Sequence, residues 1–415
     1  MKPATTLLSL VLALAGCNAT AGEVEVLHWW TSGGEDRALS ILKDKVESQG
    51  NQWKDFAIAG GGGDSAMTVL KTRAVSGNPP SAAQLKGHEL YEWGQLGFLM
   101  NLNDIAQEQH WQQIIPTVAR QIMMYKGDYL AVPVNIHRVN WLWANPDIFA
   151  KVGVKVPVTL DEFFIAADKI KQAGYIPLAH GGQPWQNVTL FEAVALAVLG
   201  ADDYNRAFVE LDMSVLTGDK MVAVFTQFRR MRDYIDPAYR GRDWNSATEM
   251  VSRGEAAMQI MGDWVKGEFE AEGKIPGKDY ICVAAPGTAG EFTYNIDSFA
   301  FFNLRDKAGQ QAQKDLARAI LDKSFQAAFN RSKGSIPVRM DMDLSNFDQC
   351  AQDSQAAFKQ TVIHGGLVPS VSQGLATTSY VQAAIFDVVS NFFDAKSVDP
   401  VKAADRLARA VKSAM

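Results

Sequence analysis

Short apolar stretches alternate with amphipathic stretches along the chain from residue 23 onward. Segment 23–28 (Glu-Val-Glu-Val-Leu-His) has the pattern of a strand, and Leu39, Leu42 and Val46 then recur at helical spacing. Further strands are predicted at 129–135, 139–143, 282–287 and 299–302. The last third is predicted to be mainly helical. The alternation of strands and helices in the rest of the chain indicates an α/β protein.

Capping residues mark where several helices begin. Ser32 and Glu35 have the Ser-x-x-Glu spacing of a capping box, and Thr159 and Glu162 repeat the pattern. Asp399 is followed by proline, which favours a helix start there. Glu35 therefore has a purely structural explanation, which does not exclude a second role in a site.

Two adjacent indoles, Trp29 and Trp30, close the first predicted strand. Neighbouring residues on a strand point to opposite faces, so both cannot be core residues if the strand continues through them. In an α/β sheet the carboxyl end of a strand is the edge where ligands bind. A flat ring with one N–H donor suits the CH-rich face of a sugar, and Glu35 could accept its hydroxyls. The alternative is one indole in the core and one on the surface.

Composition and charge narrow the class of protein. The chain has 415 residues, of which 47% are hydrophobic and 21% charged, enough for two folded lobes. Its net charge of −6 and the lack of a clustered basic face argue against a nucleic-acid partner.

Residues 1–21 have the pattern of a signal peptide, with Lys2, an apolar stretch at 7–15 and the exit Ala-Thr-Ala at 19–21. Cys17 ends a competing lipobox pattern, but its tether to the first strand would be short. We therefore favour a free periplasmic protein over a lipid-anchored one. No later apolar stretch reaches membrane-spanning length.

Two cysteines remain in the mature chain, Cys282 and Cys350. An oxidising compartment favours a disulfide between them. The alternative is a pair of separate buried thiols.

The sequence carries none of the common motifs for metal, nucleotide or nucleophile chemistry. We therefore expect no cofactor, no metal and no enzyme activity. A glycosidase needs only two carboxylates, so a secreted carbohydrate-active enzyme using Glu35 with Asp297 or Asp263 stays an alternative.

Aromatic and polar residues recur at the ends of predicted segments. Rings of this kind stack on pyranose faces, while carboxylate, amide and ammonium groups bind the hydroxyls. Single tryptophans are more often packing residues than ligand contacts. The set consists of Trp29, Trp30, Trp244, Trp264, Gln84, Lys86, Asp297 and Lys333.

The chain closely resembles the extracellular solute-binding proteins of bacterial ABC sugar importers, and more narrowly their glucose-binding branch. The resemblance covers nearly all of the mature chain. Its motifs are Leu-His-Trp-Trp-Thr-Ser-Gly-Gly-Glu at 27–35, Gly-Gly-Gly-Gly-Asp at 60–64, Ser-Gly-Asn-Pro-Pro at 76–80, Val-Pro-Val-Asn-Ile-His-Arg at 132–138, Gly-Asp-Trp at 262–264, Pro-Gly-Thr at 286–288 and Ser-Lys-Gly-Ser-Ile-Pro at 332–337.

The resemblance implies two α/β lobes of the periplasmic-binding-protein fold, with the ligand in the cleft between them. The first lobe is expected to comprise 22–132 plus about 298–340, and the second about 133–297 plus 341–415. A monomer that delivers a glucose-like monosaccharide to the transmembrane permease subunits of an ABC importer is implied. An oligosaccharide receptor is the alternative within the binding class.

The resemblance also implies the ligand-binding residues. Trp29 or Trp30 would stack on one face of the ring and Trp264 on the other, Glu35 and Asp297 would accept hydroxyl hydrogen bonds, and Lys86 and Lys333 would donate them. Gln84 and Trp244 would complete the cleft. At Gln373 similar glucose binders usually carry histidine, which leaves the exact sugar open.

Overall fold

The computed structural model of the protein describes residues 22–395 and 397–415, so the predicted signal peptide at 1–21, with Cys17, lies outside the described residues. The strands are β1 (Glu23–His28), β2 (Gln52–Ala57), β3 (Ala82–Leu85), β4 (Met124–Tyr125), β5 (Asp128–Tyr129), β6 (Ala131–Pro133), β7 (Asn135–Arg138), β8 (Trp141–Ala144), β9 (Ile176–Leu178), β10 (Ala256–Ile260), β11 (Ile281–Ala284), β12 (Phe292–Asn295), β13 (Ser298–Phe301), β14 (Ile336–Pro337) and β15 (Leu367–Pro369).

The helices surround these strands. They are α1 (Gly33–Ser48), α2 (Asp64–Val75), α3 (His88–Leu96), α4 (Asn103–Glu108), α5 (Trp111–Ile114), α6 (Thr117–Met123), α7 (Pro146–Val152), α8 (Leu160–Gln172), α9 (Pro184–Phe208), α10 (Met213–Leu216), α11 (Asp219–Arg232), α12 (Trp244–Ser252), α13 (Val265–Ala271), α14 (Lys307–Ile320), α15 (Lys323–Lys333), α16 (Gln349–His364), α17 (Ser379–Asp394) and α18 (Pro400–Ala414). None of the described helices has the length and apolar character needed to span a membrane.

The chain folds into two lobes, each built on its own sheet. The sheet of the first lobe has the order β2-β1-β3-β13-β6, with β1 parallel to β2 and β3. The sheet of the second lobe has the order β11-β8-β10-β9, with β10 parallel to β9. Helices cover both sheets, which confirms the predicted two-lobe α/β fold.

A third sheet, β14-β7-β12-β15, joins the lobes and is called the crossing sheet below. The chain passes from β6 to β7 through Val134 and returns from β12 to β13 through Ile296 and Asp297. The two passages are paired, because the Val134 N–H donates to the Asp297 carbonyl at 2.8 Å. The chain therefore passes between the two lobes at both places.

The predicted lobe boundaries remain a prediction. The predicted boundary at 132/133 falls inside β6, just before the chain enters the crossing sheet, and the one at 297/298 falls at the start of β13, just after the chain leaves that sheet. Phe347 and Phe358, which were expected in the second lobe, lie in the apolar cluster around the first sheet. The region after 340 therefore packs partly on the first lobe.

The first lobe forms as the apolar pattern predicts. Val24, Val26 and Leu27 on β1 are fully buried. At the start of α1, Ser32 and Glu35 form the complete capping box, with Ser32 Oγ accepting from the Glu35 N–H at 3.4 Å. The cap fixes the direction in which α1 leaves the edge of the sheet.

The first strand is shorter than the tryptophan pair would require for its two rings to alternate between faces of the sheet. Strand β1 ends at His28, so Trp29 and Trp30 follow the strand instead of continuing it. The alternation of faces therefore does not separate their two rings.

Cys282 on β11 and Cys350 at the start of α16 lie close together. Their Sγ atoms are at bonding distance and their Cα atoms are 6.1 Å apart, within the range that a disulfide requires. The pairing predicted from the sequence therefore has a suitable geometry, and it would fasten α16 to the sheet of the second lobe.

Candidate functional site

A cavity of about 270 Å³ lies between the two lobes. It sits beyond the carboxyl ends of β1, β2 and β3 on one side and of β10 on the other, the edge where open α/β sheets bind ligands. The lining residues are Trp29, Trp30, Thr31, Ser32, Glu35, Ala59, Gly60, Gly62, Lys86, His137, Gln183, Trp185, Asp243, Trp244, Asn245, Trp264, Asn295, Asp297, Lys333 and Gln373.

Every predicted ligand-binding residue except Gln84 lies on this lining. Gln84 is fully buried on β3, where its Oε1 accepts from the backbone N–H of Trp29 at 3.4 Å. Because the side chain is directed at the backbone behind Trp29, the structure does not bring Gln84 to the cavity. It supports the position of Trp29 instead.

The tryptophans of the first lobe differ in their packing although both line the cavity. Trp30 is 2% exposed and contacts the rings of Phe299 and Phe329, with centroids 5.6 and 5.4 Å away. Trp29 is only partly buried. Trp30 is thus also a core residue, whereas Trp29 has more of its side chain exposed.

Trp264 and Trp185 form an aromatic wall in the second lobe. Their ring centroids are 6.2 Å apart, and the six-membered ring of Trp264 lies against Gly262, where a Cβ atom would come within 2.3 Å of it. The glycine therefore makes room for the indole. Trp264 is 6% exposed where it lines the cavity.

Glu35 closes a helix cap with one carboxylate oxygen and pairs with a cation through the other. Its Oε2 accepts from the N–H groups of Thr31 and Ser32 at 3.2 and 3.4 Å, which closes the capping box. Its Oε1 pairs with Lys333 Nζ at 3.0 Å, across a contact between α1 and the end of α15. The Lys333 ammonium also lies 5.5 Å from the ring centroid of Trp30.

Lys86 is a buried cation that contacts a neutral partner. Its Nζ donates to Gln373 Oε1 at 2.7 Å and lies 5.0 Å from the ring centroid of Trp29. Burial lowers the pKa of Lys86, against the charges of Asp297, Glu89 and Asp64. Gln373 therefore lines the cavity and is the hydrogen-bond partner of Lys86 there.

Asp297 is a buried carboxylate at the cavity. It is 3% exposed, and its carboxylate accepts from Asn295 Nδ2 at 3.2 Å and faces His137 Nε2 at 3.0 Å. Burial alone would raise its pKa, but the hydrogen bond and charge of His137 and the charges of Lys86 and Lys333 lower it well below the usual range. Asp297 is therefore ionised across the physiological pH range.

Sequence reasoning missed several lining residues. His137 belongs to one of the motifs quoted above, but a lone histidine gave no further signal. Trp185 follows a Gly-Gly-Gln-Pro turn, and its indole N–H donates to Gln183 Oε1 at 2.7 Å. Asp243, Asn245 and Asn295 belong to segments with no distinguishing pattern.

The arrangement suits a small, neutral, hydroxyl-rich molecule. Indole rings supply flat apolar surfaces on both lobes, and carboxylate, amide and ammonium groups lie between them. Among the residues that the structure describes, no group of histidine, cysteine and carboxylate side chains is arranged to hold a metal ion.

The model of the family described as "Bacterial extracellular solute-binding protein" matches residues 55–319 of the chain. A probable sugar-binding periplasmic protein of Rhizobium meliloti (strain 1021) is 43% identical over 99% of this chain and 99% of its own length. An uncharacterised ABC transporter extracellular-binding protein of Pyrococcus horikoshii is 32% identical over 94% of this chain and 87% of its own.

Solved structures share the fold at much lower identity. A chitin oligosaccharide binding protein superposes with a TM-score of 0.80 at 18% identity, covering 95% of this chain and 99% of its own. At this identity the likeness concerns the fold alone.

Proposed function

We propose that this chain, which belongs to the family of bacterial extracellular solute-binding proteins, is a periplasmic receptor for a monosaccharide. The ligand we favour is D-glucose or a closely related hexose, delivered to the membrane permease of an ABC importer. The names of the Rhizobium and Pyrococcus relatives support the compartment, the sugar class and the transporter.

The observation that carries the proposal is the pairing of indoles from both lobes across one cavity. Trp29 and Trp30 come from the first lobe and Trp264 from the second, with polar groups between them. A sugar ring in this position would contact both lobes at once. It would therefore favour the closed arrangement in proportion to its extra affinity for that state.

The charges at the cavity favour a neutral ligand. Glu35 is paired with Lys333, and Asp297 lies among cationic groups. Since these two carboxylates already have cations near them, neither needs a cationic ligand as its partner. Hydroxyl groups both donate and accept hydrogen bonds, so they suit the carboxylate, amide and ammonium groups that line the cavity.

The size of the cavity supports a single sugar ring. At about 270 Å³ it is slightly smaller than typical ligand pockets, which measure ~300 to 1,000 Å³. An oligosaccharide receptor would need a longer cleft. Titrating D-glucose while following tryptophan fluorescence tests the assignment, because a saturable change is expected; its absence with glucose and its presence with a disaccharide would contradict it.

A glycosidase is the rival from another class, and the carboxylates do not favour it. A general acid needs a raised pKa, whereas the pKa of Asp297 is lowered. Glu35 is held by the helix cap and by Lys333. We expect no product from nitrophenyl glucosides. Turnover that disappears in Glu35→Gln would establish the enzyme instead.

Replacing Trp264 tests the aromatic wall. Trp264→Ala should weaken glucose binding by ~1 to 3 kcal/mol, by analogy with stacking of nucleic-acid bases on aromatic side chains. Calorimetry measures the loss. Trp53→Phe serves as the control because Trp53 lies in the first lobe away from the cavity lining. Equal affinities of Trp264→Ala and wild type would refute the stacking role.

Replacing Gln373 tests the partner of Lys86. Gln373→Ala removes the acceptor that lies 2.7 Å from the buried ammonium, so affinity should fall by about tenfold, the cost of one unsatisfied buried charged donor. Gln373→His, which introduces the residue of similar glucose binders, should retain glucose binding. If Gln373→Ala binds glucose like the wild type, Gln373 has no part in the site.

A further inference from the structure

The imidazole of His137 lies between two carboxylates from different parts of the fold. Its Nδ1 contacts Oδ1 of Asp263, which follows β10 in the second lobe. Its Nε2 lies 3.0 Å from Oδ2 of Asp297, where the chain enters the first sheet. A lone pair on either nitrogen would face a carboxylate oxygen, whereas a proton on each makes two charge-assisted hydrogen bonds.

A neutral ring with its proton on Nδ1 would need a donor to the lone pair on Nε2. Among the described contacts, only Asn135 is placed to supply that donor. Its Nδ2 lies 2.9 Å from His137 Nε2. The same Nδ2 also lies 3.2 Å from Asp297 Oδ2, and the Asn135 Oδ1 accepts from the Asp297 backbone N–H, which fixes the orientation of the amide. Asn135 can therefore donate to the Asp297 carboxylate instead of to His137. Because His137 Nε2 also lies at hydrogen-bond distance from Asp297 Oδ2, a proton on Nε2 is favoured, which makes the ring an imidazolium.

The surrounding charges support this state. The groups that face the ring are Asp263 and Asp297, and Lys86 and Lys333 act on Asp297. Burial would lower the pKa of His137, but the charges and hydrogen bonds of the two aspartates outweigh burial and raise it.

We propose that His137 is a positioning residue: as an imidazolium it ties Asp297 at the cavity to Asp263, the neighbour of Trp264, so that sugar affinity depends on its proton. The Trp264 ring packs edge-on against the imidazole, with centroids 5.3 Å apart. Loss of one ring proton would remove the His137 donor from either Asp297 or Asp263 and so break the link between the two carboxylates. The affinity part of the proposal rests on the sugar-binding function proposed above.

The charge state can be measured without any sugar. In the full-length protein with ¹⁵N-labelled histidine, the His137 signals, assigned by their loss in His137→Gln, should show both ring nitrogens protonated at about pH 7. His180 is the internal control. Its Nε2 lies 2.9 Å from Asn187 Oδ1, and burial lowers its pKa to about 4, so it should give the signals of a neutral ring. A His137 ring with one unprotonated nitrogen at this pH would overturn the proposal.

The effect on binding is read from glucose affinity as a function of pH. A raised histidine pKa means that the charge is present below it and lost above it, so wild-type affinity should be constant from about pH 5.5 to 7. It should then fall by roughly tenfold to a hundredfold at higher pH.

Three variants separate a positioning role from a structural one. His137→Gln should bind more weakly with a flat pH profile, Asp263→Asn should move the fall to lower pH, and His180→Gln should keep the wild-type profile. A wild-type affinity and profile in His137→Gln would refute the positioning role. If the wild type binds no glucose, the proposed function fails, while the NMR signals still decide the charge of His137.

Discussion

Asp297→Asn is expected to lower sugar affinity by about 3 kcal/mol, roughly a hundredfold, the upper end for a hydrogen bond to a charged group. The carboxylate is buried at the cavity and faces His137 at 3.0 Å. Its charge is also among those that support the buried ammonium of Lys86. The variant therefore removes an acceptor for the ligand and leaves nearby cations less well balanced.

Asp55→Asn is the matched control for this substitution. Asp55 also contacts a histidine, with Oδ1 3.0 Å from His28 Nε2, but it does not line the cavity. The sugar affinity of Asp55→Asn should equal that of the wild type.

Because the pKa of Asp297 is lowered, the wild type should also keep its sugar affinity as the pH falls through the ordinary aspartate range. If Asp297→Asn binds the sugar with wild-type affinity, Asp297 does not contribute to sugar binding.

Replacing both Cys282 and Cys350 with alanine is expected to lower the free energy of unfolding by about 4 kcal/mol, the chain-entropy estimate for a loop of this length. The two residues are 68 positions apart and would link α16 to the sheet of the second lobe. Thermal unfolding should show a clear drop in Tm for the variant, with sugar affinity unchanged at lower temperature.

Reducing agent supplies the control for the cysteine variant. It should lower the Tm of the wild type toward that of the variant and leave the variant's own Tm unchanged. Two free thiols in the denatured, unreduced protein, together with equal Tm values, would show that the cysteines are not bonded.

The sequence allowed much of the fold to be predicted because local signals and the family resemblance agreed. The capping boxes at Ser32 and Thr159 lie where their spacing placed them, and Asp399 caps α18. The apolar stretch at 129–143 contributes strands to the first, crossing and second sheets. That this stretch connects the two lobes depends on which sheet each of its strands joins. The pattern of apolar residues along the chain does not specify those pairings.

The site was less predictable, because a side chain's direction depends on contacts distant in sequence. Gln84 and Lys86 are two residues apart, yet Lys86 reaches the cavity and Gln84 is turned to the Trp29 backbone. His137 and Asp263 meet across 126 positions. Their contact arises only when the crossing sheet and the second lobe are assembled.

Isothermal titration against a panel of mono- and disaccharides measures whether the cavity binds a single hexose. We expect one site per chain, with tightest binding to D-glucose or a close hexose and much weaker binding to maltose and cellobiose. Tighter binding of either disaccharide than of any hexose, or no binding of any sugar in the panel, would contradict it.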